Sequence, residues 1–369
     1  MKIGVLGAGM QGSIAAQDLA NAGFKVTVLD NNISRLRLLK RSIPIKAQQF
    51  NVSGKVKFIK LLKTFDLIVG ALPAALGYYT MDCAVTAGVD CVDMSYSHED
   101  PLKLHQKAQQ AKVRIVPDAG FAPGLSNVLV GEAYQQFNGI DKLRILVGGI
   151  PQNAVPPFYY RITWSPTDLI EEYTRPARII KNKESVSVDA LTGIETITLP
   201  KVGKLECFYT DGLRTLLSTM KNVDTMEEKT IRYPGHAELF KTLIKCGFFS
   251  EQQVRCGKQM LSIKSISTEY LRVMLSQGDE PDISVMEIEI KKGKNKRRYR
   301  CIDYYDSKNG ITSMARMTAY TCSIMAQCIK HYPDFGVIPP EYLGMNKKIC
   351  QFIKSELKKR KITVTVSKS

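Results

Sequence analysis

Residues 3–12 read Ile3-Gly4-Val5-Leu6-Gly7-Ala8-Gly9-Met10-Gln11-Gly12, and this stretch decides the fold. An apolar run, Ile3 to Leu6, enters a turn carrying Gly7, Gly9 and Gly12. A helix-compatible segment, Ser13 to Ala22, follows. Val26 to Leu29 then reads as a second strand that ends on Asp30. Strand, glycine turn, helix, strand and acid come in the order a dinucleotide site needs. Gly7 permits the tight turn, Gly9 lets a pyrophosphate approach the backbone, and Gly12 lets the helix pack close to the strand. The backbone N–H groups around Met10 and Gln11, at the helix start, face the phosphates. Asp30 follows Gly7 by 23 residues, close to the ~20 expected of an acid that binds the ribose hydroxyls. A carboxylate there repels a 2′-phosphate, so NAD is expected in preference to NADP. Asn31, Asn32 and Arg35 follow at once and keep NADP open.

Working outward, the first 120 residues alternate strand and helix. Helical patterns cover Ile33 to Arg41, Gly77 to Ala87 and Pro101 to Ala111. Short apolar runs, Asp66 to Ala71, Asp90 to Ser95 and Val113 to Pro117, read as strands. Short buried strands between helices make a parallel, doubly wound sheet of the Rossmann type. The carboxyl ends of such strands face the ligand crevice. Leu72-Pro73, Asp93-Met94-Ser95-Tyr96 and Asp118-Ala119-Gly120 fall at those ends.

The pattern changes after about residue 140. Leu143–Gly148, Phe158–Trp164, Ser185–Leu191, Lys204–Tyr209, Lys229–Tyr233, Ile283–Ile290 and Arg297–Tyr304 read as strands, several with alternating polarity. That predicts a second, α+β unit on a mainly antiparallel sheet. Glu238–Cys246 and Gln252–Leu261 read as helices. Between Thr312 and Lys330 the side chains of Met314, Met317, Thr321, Ile324, Met325 and Cys328 share one helical face, predicting a helix that packs back on the nucleotide-binding part. The expected division is 1–125 with 311–369 for dinucleotide binding, and 126–310 for substrate binding and dimerisation.

A chain of 369 residues with 44% hydrophobic residues has room for two cores. No apolar run reaches the ~18 residues of a membrane span. The glycine-rich start lacks a signal-peptide cleavage pattern, so a cytoplasmic protein is expected. Nine cysteines, at 83, 91, 207, 246, 256, 301, 322, 328 and 350, form no CxxC pair. Free, mostly buried thiols are expected, with no zinc or other metal site. The formal net charge of +17 is concentrated locally. Lys291–Arg300 holds seven positive charges and no acid, in a hairpin-like turn; Met345–Ser369 holds eight and one acid, in a terminal helix and tail. Neither interleaves aromatics in a recognition pattern, so solvated basic surface is expected rather than nucleic-acid recognition.

Three clusters can carry chemistry. In Thr230-Ile231-Arg232-Tyr233-Pro234-Gly235-His236, Arg232 can take a carboxylate in bidentate fashion, and His236 can move a proton near neutrality or cap a helix. Asp93, with Ser95 and Tyr96, can hold an ammonium group or cap its strand end. Asp118, in Asp118-Ala-Gly-Phe-Ala-Pro-Gly-Leu-Ser-Asn127, can touch substrate or shape a hinge. Trp164, the one tryptophan, suits a core or a pocket wall.

These motifs resemble the saccharopine dehydrogenase-like superfamily and, within it, the lysine 6-dehydrogenase branch. The resemblance rests on Gly7–Gly12, Val92–Tyr96, Asp118–Asn127, Trp164-Ser-Pro166, Thr230–His236, Thr312-Ser-Met-Ala-Arg316 and Gly336–Gly344. It implies a two-domain, dimeric, nicotinamide-dependent enzyme acting on a carbon–nitrogen bond of an amino acid. Lysine 6-dehydrogenases oxidise the side-chain amine of lysine to an imine; saccharopine-forming relatives join or split two amino acids. Those relatives carry other residues where this chain has Asp93-Met94 and Ala122-Pro123, which favours the lysine branch. The basic loop and tail are not a family trait. On this reading an alkyl amine of pKa ~10.4 loses a proton before hydride leaves. His236, Asp93 or Asp118 accepts that proton, Arg232 holds the substrate carboxylate, and Tyr233, Ser95, Tyr96 and Trp164 line the substrate. A non-enzymatic dinucleotide-binding regulator is the remaining alternative.

Overall fold

The computed structural model describes residues 1–162, 166–276 and 281–368. The chain divides into two units, Met1–Asn138 with Ala315–Thr363, and Gly139–Met314 with Val364–Ser369.

In the first unit the strands β1 (Lys2–Leu6), β2 (Lys25–Asp30), β3 (Lys46–Gln49), β4 (Leu67–Gly70), β5 (Asp90–Asp93) and β6 (Arg114–Val116) alternate with α1 (Met10–Asn21), α2 (Ile33–Ser42), α3 (Lys55–Leu62), α4 (Gly77–Ala87) and α5 (His105–Gln110). α6 (Leu125–Phe137) follows. β4 and β5 are buried at every residue, as strands covered by helices on both faces must be. Phe58, Leu62, Ile68, Met81, Cys91 and Ile115 share one core. Asp118–Asn127, read from sequence as a hinge, lies wholly inside this unit.

The second unit contains β7 (Lys142–Pro151), α7 (Pro166–Thr174), β8 (Ala177–Lys181), β9 (Glu184–Val188), β10 (Glu195–Leu199), β11 (Gly203–Tyr209), α8 (Leu216–Thr219), β12 (Thr225–Arg232), α9 (His236–Lys245), β13 (Gln253–Cys256), β14 (Gln259–Ser262), α10 (Ile263–Leu275), β15 (Asp282–Lys292) and β16 (Asn295–Tyr304). Two expectations fail here. Phe158 to Ile162 is turn and coil, because Tyr159 sits at φ +51° and cannot continue an extended run. The rest of that expected strand lies outside the described residues. Gln252–Leu261 is the β13–β14 hairpin rather than a helix. Its two-residue loop, Gly257-Lys258, has Gly257 at φ +62°, the positive φ such hairpins need.

The chain then forms α11 (Ser313–Cys328), β17 (Gly336–Val337), α12 (Pro340–Met345), α13 (Lys347–Lys359) and β18 (Val364–Lys368). β17 completes the first unit's sheet. Among the described residues that sheet has order β17-β6-β5-β4-β1-β2-β3, parallel throughout. The path of the second sheet is β10-β11-β12-β7-β15-β16-β18. It is antiparallel except where β12 runs parallel to β7. β18 pairs with β16, so the basic tail ends as a strand. The basic β15–β16 hairpin is less solvated than its sequence suggests. Arg297 is buried, and Arg298 and Arg300 pair with Glu289 and Glu287 across the strands.

α6 and α12 cross at backbone contact. A Cβ on Gly131 would lie 1.9 Å from the Glu341 carbonyl oxygen, and one on Gly344 would lie 1.9 Å from that of Val128. Gly131→Ala gains about 1 kcal/mol of helix propensity but overpacks backbone against backbone, at about 3 kcal/mol. The clash dominates. Urea unfolding is expected to show a net loss of about 2 kcal/mol, and an unchanged midpoint would refute the close crossing.

Candidate functional site

The glycine turn has the shape expected of it. Gly7 is at φ +103°, and a Cβ there would reach 2.5 Å from the Ala71 carbonyl. A Cβ on Gly12 would sit 2.1 Å from the Gly7 carbonyl. Gly9 meets nothing within 4 Å, so the protein leaves that side of the turn open. Gly9 is the N-cap of α1, and no side chain caps the helix; the helix start therefore suits an anion. Met10 is exposed and Gln11 half-buried beside it; Leu72 and Pro73 follow the end of β4, with Leu72 packed on the core.

Asp30 is nearly buried, and both of its oxygens already accept backbone hydrogen bonds. Oδ2 takes the Ala8 N–H at 2.6 Å and Oδ1 the Asn32 N–H at 2.7 Å. It ties β2 to the glycine turn. Asn32 caps α2 through the N–H groups of Ser34 and Arg35. Asn31 is exposed, and its carbonyl accepts from Gln49 at 3.0 Å. Ser34 and Arg35 are exposed beside it.

Asp93 closes β5 and is fully buried. Oδ1 accepts from the Ser95 N–H at 2.8 Å and from the Ser95 hydroxyl. Oδ2 has no hydrogen-bond partner among the described residues. Burial pushes its carboxyl up to about 7; the Ser95 hydrogen bonds oppose this and the Asp118 charge adds to it. Gly70 and Gly77 make room, since a Cβ on either would strike Asp93 Oδ2 or Ser95 Oγ. Tyr96 is half-buried in the following loop. Asp118 is buried at φ +51°, a conformation that aspartate tolerates better than most residues.

In the second unit Arg232 ends β12 and is 3% exposed. Its Nε donates to the Tyr173 hydroxyl at 2.8 Å and its Nη1 to the Ile231 carbonyl at 2.8 Å. The Tyr160 ring lies 4.5 Å beneath the guanidinium. Nη2 faces Glu172 Oε2 at 3.7 Å. Tyr173 in turn meets His236 Nε2 at 2.9 Å, and His236 Nδ1 lies 2.8 Å from the Phe158 carbonyl. A carbonyl only accepts, so Nδ1 carries the proton and Nε2 accepts from Tyr173. His236 is fully buried among Tyr160, Tyr173, Phe208 and Phe240.

The reading of His236 as a proton carrier near neutrality is therefore corrected. Burial, and then the Arg232 charge, push it down to about 3, so it stays neutral. It does not cap α9 with its side chain either. Glu206, on β11, accepts from the Gly235 N–H at 2.9 Å and the Ala237 N–H at 2.7 Å and does that work. Tyr233 donates to the Pro151 carbonyl at 2.9 Å and packs on a core cluster. Trp164 lies outside the described residues.

Sequence reasoning passed over Tyr160, Glu172 and Tyr173. Pro166 opening a helix that buries Leu169, Ile170 and Tyr173 was the available signal. Their link to Arg232 depends on pairing across 59 residues. It also missed the chain of buried hydroxyls and carboxylates behind them. Thr230 donates to Glu172 at 2.6 Å, Thr210 lies 2.8 Å from Thr230, and Thr210 reaches Glu228 at 2.7 Å.

Burial pushes Glu228 from its ordinary 4.5 up to about 8, with Glu172 adding to the shift. The folded state thus keeps a proton that the unfolded chain has lost. Between pH 4.5 and 8 the folded state binds more protons, so this group's contribution to stability falls as pH rises. Glu228→Gln, a neutral isostere, is expected to flatten the decline of Tm from pH 5 to pH 8 by a few degrees, roughly 2–4 °C per kcal/mol. Parallel curves for the two proteins would refute the buried proton.

Among the described residues no group of three or more His, Cys, Asp or Glu is placed to hold a metal ion. Among the described residues no helix is long and apolar enough to cross a membrane. All nine cysteines are free, and Cys246 and Cys256 alone are exposed.

A parallel sheet with an open glycine turn defines a Rossmann-type dinucleotide-binding unit, joined here to a second unit on a mixed sheet. Residues 3–116 match the family model of the saccharopine dehydrogenase NADP binding domain, and residues 120–362 that of the saccharopine dehydrogenase C-terminal domain. The chain belongs to the saccharopine dehydrogenase family. It is 23% identical over 233 residues to an alpha-aminoadipic semialdehyde synthase of Arabidopsis thaliana, covering 58% of this chain and 22% of that protein. It is 21% identical over 297 residues to a saccharopine dehydrogenase (NADP(+), L-glutamate-forming) of Pyricularia oryzae, covering 76% and 64%. The chain thus spans less than two thirds of these relatives. The apo saccharopine dehydrogenase (L-Glu forming) of Saccharomyces cerevisiae has the same fold, with a TM-score of 0.79 at 16% identity over 100% of this chain and 99% of that one.

Proposed function

We propose that the chain is a nicotinamide-dependent oxidoreductase acting on a carbon–nitrogen bond of an amino acid, with oxidative deamination of the lysine side-chain amine as the favoured reaction. Asp93 carries this reading: a buried carboxylate at a strand end whose Oδ2 has no partner among the described residues and whose carboxyl is held near 7. A group with that pKa is partly ionised at neutral pH and is suited to act as a general base toward the substrate's amine as hydride leaves, directly or through water. Ser95 holds it in place through Oδ1. Arg232 takes the substrate carboxylate. Asp118, Tyr96, Tyr233 and Trp164 remain proposed neighbours of the substrate.

Gly7, Gly9, Met10, Gln11 and Gly12 hold the cofactor's pyrophosphate, with Leu72 and Pro73 beside it. The open space at Gly9 and the uncapped start of α1 fit that group. The bound dinucleotide supplies the hydride acceptor. The preference expected for NAD gives way to NADP in this reading. The family model is an NADP binding one. The Asp30 carboxylate is engaged by two backbone N–H groups, and Ser34 and Arg35 are exposed nearby for a 2′-phosphate.

The second reading is a saccharopine-type reaction, favoured by the names of the relatives. The test incubates the full chain with NADP or NAD and either L-lysine or saccharopine, following absorbance of the reduced cofactor. Reduction with lysine alone supports the first reading and reduction with saccharopine alone the second. Reduction with neither overturns both.

A further inference from the structure

Four side chains of the second unit touch end to end. Glu228 Oε2 lies 2.7 Å from the Thr210 hydroxyl, Thr210 lies 2.8 Å from the Thr230 hydroxyl, and Thr230 lies 2.6 Å from Glu172 Oε1. All three are hydrogen-bond lengths between oxygens, and oxygens that close with no proton between them repel. Three bonds need three protons. A threonine hydroxyl carries one, so the two threonines supply two. Glu228, Thr210 and Thr230 are 4%, 2% and 3% exposed, and their direct contacts leave no room for a water between them. The third proton therefore sits on a carboxyl at one end of the chain.

The surrounding charges decide which end. Glu172, on α7, faces two cations, Arg232 on β12 and Arg175 just past α7. Glu228, on β12, faces Glu172 and Asp211, which follows β11. Asp211 itself pairs with Arg175 and with Arg178 on β8. The cations favour the anion at Glu172, so the proton belongs to Glu228. Glu228 Oε2 also takes the Gly212 N–H at 3.1 Å, which a protonated carboxyl can still accept.

We propose that these four side chains form one proton-sharing chain, running from protonated Glu228 through Thr210 and Thr230 to ionised Glu172, and that it acts as a pH-sensitive lock joining α7, β12 and the turn after β11. When Glu228 gives its proton to solvent, Thr210 turns its hydroxyl to the new carboxylate, while Thr230 keeps its bond to Glu172. No proton is then left between the two threonines, and the chain parts there. Burial, with Glu172 adding to it, sets that step at about 8. The two acids titrate as a unit, so a change made beside Glu172 is felt at Glu228.

The test follows the infrared carbonyl stretch of the un-ionised Glu228 carboxyl against pH in the full chain, the band being assigned by its absence in Glu228→Gln. Thr230→Val removes a hydroxyl that touches Glu172 and Thr210 but not Glu228. In the wild type, loss of the proton costs the bond between the threonines. In Thr230→Val that bond is already gone, so the midpoint is expected about one pH unit lower, the worth of one hydrogen bond. Thr230→Ser keeps the hydroxyl and is expected to keep the wild-type midpoint. Thr230→Ala gives the same readout as Thr230→Val if the valine variant fails to fold by circular dichroism. A wild-type midpoint in the variants that lack the hydroxyl, or an equal shift in Thr230→Ser, would overturn the proposal. Neither cofactor nor substrate is added, so failure of amine oxidation counts against the reaction and not against this chain of protons.

Discussion

A Gly9→Ala chain is expected to melt like the wild type and to bind NADPH roughly 100-fold more weakly, a loss of about 2.7 kcal/mol. Gly9 sits at φ −74°, which alanine adopts without strain. Its added methyl meets no protein atom within 4 Å. In the proposed function the space it fills is the approach of a pyrophosphate to the turn, so the whole cost is expected to fall on the ligand. Gly12→Ala provides the contrast. There the methyl would lie 2.1 Å from the Gly7 carbonyl, and the cost falls on folding. Fluorescence titration with NADPH beside thermal melts separates the two. Unchanged affinity in Gly9→Ala would remove the glycine turn from the cofactor site.

Asp93→Asn is expected to lower turnover by about 10²–10³-fold, the range of general-base catalysis, with dinucleotide affinity kept. Asparagine retains an acceptor for Ser95, so the loop geometry survives while the proton acceptor is lost. The pH profile supplies the sharper check. Asp93 works as a base only when deprotonated, and burial places that step at about pH 7. Wild-type turnover is therefore expected to rise with pH through 7 and level off above it. In Asp93→Asn that rise disappears. His236, held near 3, contributes no such limb. Persistence of the limb in the variant would move the base to another residue, with Asp118 the first to test.

Much of the first unit was legible because local signals agree there. The glycine triplet, the apolar runs of β4 and β5 and the left-handed Gly88 after α4 each specify backbone within a few residues. β3 and β17 carried no such signal. β17 is two residues long and exists because β6 offers it an edge. In the second unit strand positions were mostly readable from alternation, whereas Gln252–Leu261 misled. A helix-like spacing was overruled by a two-residue glycine turn.

For the site, the sequence by itself determined which residue types were at hand: a glycine turn, an acid closing β2, an acid closing β5, and an arginine and histidine around one Pro-Gly turn. Only the tertiary structure decided their states. Burial among four aromatic rings made His236 neutral, the Ala8 and Asn32 N–H groups engaged Asp30, and α7 brought Glu172 and Tyr173 to Arg232. The reason is physical. Residue type sets which charges and hydrogen bonds a side chain can carry, but its protonation and its partners depend on desolvation and on groups distant in the chain. Those are properties of packing, and no spacing along the sequence encodes them.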